Sequence, residues 1–312
     1  MQRIVLESGR LRVEINQRLG ASISDLSIKG PNRYAFPIMR RAAASDSEPG
    51  AAACFLMAPW TNRVAGASFE FAGARRTLRP TTGDGTAMHG DVRGRPWELL
   101  DRSPISARLR FRSRSFADVN YPFPFECEAR YEIHPDRLLS TLSVTNAGES
   151  PMPAGCGPHP YFMRRLWDDA DAVEIRMNVK GRYPLANRIP TGPARDDELC
   201  AHFRAGGPLP ATPLDDVFSG FGGSAEIRWP SSGVQLRLEC SRELGHVVVF
   251  TPNSSEPAGR KVGPLPWFAL EPVTQVNDAL NLMARGVPDT GTVVLQPGAT
   301  LSAMCNYLVE SR

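Results

Sequence analysis

Short runs in which apolar and polar residues alternate recur along the whole chain, and they narrow the fold class sharply. Arg10-Leu11-Arg12-Val13-Glu14-Ile15, Arg108-Leu109-Arg110-Phe111-Arg112 and Gln235-Leu236-Arg237-Leu238-Glu239-Cys240 each place every second side chain on one face. That is the period of a strand with one dry side and one wet side. Between the runs lie turn signals such as Ala72-Gly73, Pro230-Ser231-Ser232-Gly233 and Gln296-Pro297-Gly298, in which glycine supplies positive φ and proline a preset bend. The 27 glycines and 28 prolines among 312 residues fit many short strands joined by tight turns. Few segments carry a long apolar stripe at helical spacing, so the expectation is an all-β chain built as a large antiparallel β-sandwich.

The sharpest break in composition, Gly181 to Pro213, is rich in proline, glycine and charge. Strand-like runs stand on both sides of it and no fixed-period repeat appears, so residues 1–312 are read as one domain. A net charge of +3, with both signs scattered, speaks against nucleic-acid and membrane surfaces. The densest basic cluster, Arg108, Arg110, Arg112 and Arg114, alternates with Leu109, Phe111 and Ser113 and reads as the solvated face of a strand. The N-terminus shows no basic start followed by an apolar run, and no later stretch approaches a membrane span, so a cytoplasmic location is expected. Six cysteines lie far apart without a C-x-x-C spacing, as befits buried thiols in a reducing compartment.

Two titratable residues stand in unusual settings. In Cys156-Gly157-Pro158-His159-Pro160-Tyr161-Phe162, one of only five histidines lies between prolines, which fix its neighbours' φ and bias His159 toward extended backbone. Such stiffness serves either core packing or the aiming of an imidazole. Glu271 follows the apolar run Trp267-Phe268-Ala269-Leu270 and precedes Pro272. A solvated surface carboxylate is the plainer reading, but burial there would raise its pKa toward that of a useful base.

Four more segments accompany these: "PWTNRVAGASFEFAG" at Pro59 to Gly73, "MHGDVRGRPWEL" at Met88 to Leu99, "PLDDVF" at Pro213 to Phe218 and "FALEPVTQVNDALN" at Phe268 to Asn281. In this order and at these spacings the chain resembles the aldose 1-epimerases, or galactose mutarotases, from "RLGASISDLSIKG" near the N-terminus to "GTVVLQPGATLSAMCNYLV" near the end. Each segment alone is weakly diagnostic; the ordered set is what carries the resemblance.

The resemblance implies a galactose mutarotase-like supersandwich that binds a free sugar, acts as monomer or homodimer and needs no metal or organic cofactor. It implies interconversion of α and β anomers by acid–base ring opening and closure, with Glu271 as base and His159 as acid. Arg63, His89 and Asp215 match sugar-binding positions; the plainer readings are a surface ion pair, a packed ring and a loop-capping carboxylate. Asp215 is preferred to Asp216 because it begins the D-x-x-F pattern ending at Phe218. Trp60, Trp97, Tyr161 and Trp267 could stack on a sugar, although such aromatics are more often core. His134, His202 and His246 match no motif. Many members carry Thr-Gln directly after the catalytic glutamate, whereas here Pro272-Val273 intervene, which leaves the hydroxyl pattern of the sugar open. Two alternatives stand beside the leading reading. One is a mutarotase for a phosphorylated or sulfonated hexose, since Arg63, Arg75, Arg76, Arg93 and Arg95 could bring cations to the pocket, with Arg93 or Arg95 pointing inward as the discriminator. The other is a non-catalytic sugar-binding protein on the same scaffold.

Overall fold

A computed structural model describes residues 3–43, 48–255 and 261–311. The alternating runs fold as strands with one dry face: Leu11–Asn16 buries Leu11, Val13 and Ile15, Ser106–Arg112 buries Ala107, Leu109 and Phe111, and Val234–Cys240 buries Val234, Leu236 and Leu238. On the wet face of Ser106–Arg112, Arg110 and Arg112 pair with Glu98 at 3.1 and 2.8 Å and Arg108 leans toward Asp101. The arginine cluster is thus a solvated, ion-paired surface.

Two large antiparallel sheets carry the fold. The first runs in spatial order through Arg3–Ser8, Leu11–Asn16, Ser22–Lys29, Cys54–Met57, Gly157–Met163, Trp267–Val273, His246–Phe250, Asp215–Ser219 and Gly181–Arg182, with Ala35–Pro37 pairing off Ser22–Lys29. The second runs Glu98–Arg102, Ser106–Arg112, Phe125–Ile133, Arg137–Asn146, Thr300–Ser311, Val234–Cys240, Ser224–Trp229, Glu174–Met177 and Gly207–Pro208. One apolar core joins them, with Ile23, Leu56, Phe162 and Leu270 from the first sheet and Phe111, Tyr131, Leu238 and Tyr307 from the second. Tyr131 Oη donates to the Ala21 carbonyl at 2.7 Å and Trp229 Nε1 to that of Met163 at 2.9 Å, so the polar tips of these two buried rings are satisfied between layers.

The central strands of the first sheet are buried on both faces. Leu56, Phe162, Phe268 and Leu270 point into the core between the sheets. Phe55, Met57, Tyr161, Val217, Val248, Ala269 and Val273 point the other way, into a second apolar cluster closed by Val276, Ala279 and Leu282 from the short helix Ala279–Ala284 and its approach. Strands covered on both sides read as continuous apolar runs, as "CFLM" and "WFAL" do.

The Gly181 to Pro213 segment departs from the expectation of strands and turns alone. It holds the hairpin Leu185–Ala186 with Ile189–Pro190 and the helix Glu198–Ala205. Asp197 caps that helix by accepting from Cys200 N at 2.9 Å, and Gly206 ends it at φ 80°, the usual start and stop chemistry. All six cysteines are free thiols; Cys240 and Cys305 face each other across adjacent strands with sulfurs 3.7 Å apart. No helix among the described residues is long and apolar enough to cross a membrane.

Candidate active site

His159 lies in a strand that breaks a local rule: Gly157–Met163 is central in its sheet yet contains Pro158 and Pro160, residues that cannot donate to a ladder. The pairing explains how they fit. Gly157 to Pro160 pair with Cys54–Met57 on one side, and Tyr161 to Met163 pair with Trp267–Val273 on the other. Tyr161 N donates toward Ala53 at 2.9 Å, so odd-numbered amides face that side and the even-numbered prolines put their missing donors toward Trp267–Val273. There the recorded ladder stops at Tyr161↔Ala269. Continuing that register by two residues sets His159 opposite Glu271, and the side chains connect where the backbones do not: His159 Nε2 lies 3.0 Å from Glu271 Oε1. Both residues are almost fully buried, with 4% and 2% of their surface exposed. Gly157 is required at this strand's entry, because a Cβ there would meet the Pro272 carbonyl at 2.6 Å.

Aromatic packing fixes the imidazole. Phe55 and Tyr161 hold His159 with ring centres 4.4 and 4.5 Å away, and His89 meets it edge-on at 5.2 Å. His89 sits at φ 64° in the turn after Ala87–Met88, its amide bonded to the Asn62 carbonyl at 2.8 Å. A left-handed non-glycine residue costs free energy and is retained where surrounding contacts impose it. The next residue, Gly90, has φ 69° and presses on the Ala58 carbonyl, which a Cβ would approach to 1.9 Å.

Arg63 begins the two-residue strand Arg63–Val64, paired with Ala87–Met88. Its loop is held from the far side of Glu271. Thr61 N and Thr61 Oγ1 donate to the side-chain and backbone oxygens of Gln275, each at 3.0 Å, Asp278 N donates to the Arg63 carbonyl at 2.8 Å, and Asp278 Oδ1 accepts from Ala65 N at 2.9 Å. The Thr274-Gln275-Val276-Asn277-Asp278 stretch therefore works as a clamp. Arg63 Nε pairs with Asp84 Oδ2 at 3.3 Å, and hydrogen bonds from Thr82 and Thr86 hold that carboxyl well below its usual range.

Electrostatics separate the two ends of the pair. Burial, then repulsion from Asp215, raise the pKa of Glu271 well above its ordinary 4.5, and Arg63 opposes them. Burial, then the charges of Arg40 and Arg93, hold His159 well below its ordinary 6.5. At 3.0 Å the two titrate as one unit, and burial favours the state holding a single proton between them. The proton thus belongs to the pair and to neither residue alone. His89 is likewise kept neutral by burial first, then by the charges of His159, Arg93 and Arg63.

Asp215 is half-buried beside Arg188, accepting from its Nε at 2.8 Å, whereas Asp216 accepts from Arg182 at 3.0 Å. Alternation along Asp215–Ser219 puts the two on opposite faces, and it is Asp215 whose charge reaches Glu271. Three buried polar atoms of this group have no partner: Glu271 Oε2, His159 Nδ1 and His89 Nδ1. Unpaired buried polar atoms are rare in folded chains and call for an explanation such as a ligand. No group of three or more His, Cys, Asp or Glu among the described residues is placed to hold a metal ion.

Sequence reasoning missed Phe55, Arg40, Asp84 and the Gln275 clamp. Of the aromatic residues, Trp60 and Trp97 are core, while Tyr161 and half-buried Trp267 pack edge to face at 4.8 Å beside the site. His246 is buried and bonds the Thr274 carbonyl, His134 pairs with Glu132, and His202 meets the Pro208 carbonyl. A cavity of about 1050 Å³ near His246, Tyr183 and Leu282 holds none of the five expected site residues. A smaller one of about 480 Å³ reaches Asp215, Arg188 and Tyr183.

A sequence profile of the aldose 1-epimerase family matches residues 2–308 of the chain. The chain is 26% identical over 313 residues to the uncharacterized protein YphB of Escherichia coli K12, covering 98% of each. Its fold is similar to that of a putative aldose 1-epimerase of Escherichia coli K12, with TM-score 0.84 and 24% identity over 100% of this chain and 99% of the other. It is equally similar to a galactose mutarotase-like protein of Clostridium acetobutylicum, with TM-score 0.84 and 18% identity over 99% and 95% of the two chains. The match over nearly the whole length, on a sandwich of this architecture, establishes that the chain belongs to the aldose 1-epimerase family.

Proposed function

We propose that this protein is a mutarotase that interconverts the α and β anomers of a free aldose through its open-chain form, with Glu271 as base and His159 as acid. One observation carries the reading: a carboxylate and an imidazole in contact at 3.0 Å, buried, with further polar atoms of the same group unpaired. The reaction moves two protons at atoms bonded to one carbon. The C1 hydroxyl loses its proton as the ring oxygen gains one; the C1–C2 bond turns; the steps then run backwards on the other face of the aldehyde. An acid and a base a hydrogen bond apart match two oxygens that share a carbon.

The proton count closes on the pair. With the proton on His159, the ring oxygen takes it as the O5–C1 bond breaks, and Glu271 takes the proton of the C1 hydroxyl as the carbonyl forms. The pair again holds one proton, now on Glu271. Ring closure returns it to the new C1 hydroxyl while the C5 hydroxyl proton passes back to His159. No electron or hydride moves. Arg63, His89 and Asp215 surround the pair with donors and acceptors for hydroxyl groups, and orientation of this kind contributes to rate as well as binding. The partner is a small sugar, and the protein works as a monomer or homodimer in the cytoplasm.

The test is polarimetry on freshly dissolved α-glucose, α-galactose and other aldoses. Acceleration over buffer that survives a chelator is the expected result. Sugar binding without acceleration of any neutral or charged aldose would instead make the protein a binding member of the family.

A further inference from the structure

Arg93 is a half-buried guanidinium whose side chain makes no hydrogen bond or ion pair among the described residues. Its carbon lies 5.3 Å from the centre of Phe55, the ring that packs at 4.4 Å on His159. Arg40 lies over the other ring, 3.6 Å from the centre of Tyr161, where it donates to the carbonyls of Ala52 and Gly50. Two cations thus stand over the two rings that pack on His159. The Tyr161 phenol and exposed Glu48 act on Arg93 through charge, and neither forms an ion pair with it. Arg95, by contrast, is spent on Asp91 and Asp118, both at 2.8 Å. A partly desolvated charge without a counterion is unfavourable unless a ligand supplies one.

Resting on the mutarotase reading, we infer that the substrate is an aldose carrying an anionic group, a phosphate, sulfonate or carboxylate, on the carbon attached to C5, and that Arg93 binds that group, with Arg40 adding positive charge nearby. The direction follows from the chemistry of the pair. His159 serves the ring oxygen, and the ring oxygen is bonded to C5, so a substituent beyond C5 falls on the histidine's side of the site. Arg40 and Arg93 act on His159, whereas Arg63 and Asp215 act on Glu271. Arginine's planar set of donors suits an oxyanion. An anion seated there also screens both cations from the imidazole and so makes His159 easier to protonate, which couples recognition to the acid step.

The experiment compares initial mutarotation rates of fresh α-glucose, glucose 6-phosphate, a 6-sulfonated glucose and glucuronate, each against its buffer blank. At least one charged sugar is expected to exceed glucose in kcat/KM by tenfold or more, with the advantage shrinking as salt rises. The sugar preferred identifies the anion. Arg93→Gln is expected to cut the charged-to-neutral ratio by tenfold or more, Arg93→Lys to cut it less, and Arg95→Gln to leave the ratio unchanged. Glucose equal to or better than every charged sugar, or a ratio untouched by Arg93→Gln, overturns the inference while the mutarotase reading stands. If no sugar is accelerated, that reading fails and the anion site is decided by calorimetric titration with glucose 6-phosphate and glucuronate. Binding that weakens in Arg93→Gln then supports the site, and no binding overturns it. Should Arg93→Gln not fold, Arg93→Lys carries the same comparison.

Discussion

Substituting Gly90 by alanine isolates what holds His89 in place. Gly90 has φ 69°, and a Cβ there would stand 1.9 Å from the Ala58 carbonyl oxygen. Gly66 has a similar φ of 58°, but a Cβ there would meet nothing within 4 Å. Alanine at either site incurs the left-handed penalty of roughly 1–2 kcal/mol. Only Gly90→Ala must also displace backbone, and forcing atoms into packed space adds about 1–3 kcal/mol. Denaturant unfolding of both variants should therefore place Gly90→Ala about 1–3 kcal/mol below Gly66→Ala. The backbone that moves is shared with His89 and abuts Ala58 ahead of the Arg63 loop. Mutarotation by the folded Gly90→Ala protein should fall by about tenfold to a hundredfold, since small displacements of positioning groups cost that much, while Gly66→Ala keeps its rate. Equal stability and unchanged kcat/KM in the two variants would refute the idea that contact between Ala58 and Gly90 sets the position of His89.

Three further outcomes follow from the same structure. Asp215→Asn should raise KM by about tenfold or more through loss of a charged acceptor, whereas Asp216→Asn, which faces Arg182, should change KM by less than about twofold. Because the pair keeps one proton while burial lowers His159 below 6.5 and raises Glu271 above 4.5, the acid limb of kcat against pH should lie below the ordinary histidine value and the alkaline limb above the ordinary carboxylate value. A pH series by polarimetry checks this, and an acid limb at or above the ordinary histidine value contradicts it. Arg110→Gln removes only an exposed pair with Glu98 and should alter unfolding free energy by less than about 0.5 kcal/mol.

The sandwich was legible because strands such as Ser106–Arg112 are dry on one face only, and their alternation survives in the sequence. Cys54–Met57 and most of Trp267–Val273 are covered on both faces and carry no alternation, so the sheet that holds the site was the harder half to read. His159 and Glu271 stood out through their neighbours, yet nothing local says that they meet. That contact depends on a register running past two prolines in a central strand, where local rules argue against any strand. The D-x-x-F pattern already favoured Asp215 over Asp216, and the pleat adds that the two lie on opposite faces, whereas the roles of Arg40 and Arg93 needed the loops that bring them over Phe55 and Tyr161. Gln275 read as a departure from the family pattern; in space it ties the Arg63 loop to the stretch that follows Glu271.

The direct test of the account is mutarotation kinetics of Glu271→Gln, His159→Asn and the double variant on the best aldose, with folding checked for each. If the two residues pass a single proton between them, each substitution alone should lower kcat by about a hundredfold to ten-thousandfold, and the double variant should be no slower than the worse single one. A Glu271→Gln protein that kept near wild-type kcat, or losses that multiplied in the double variant, would contradict it.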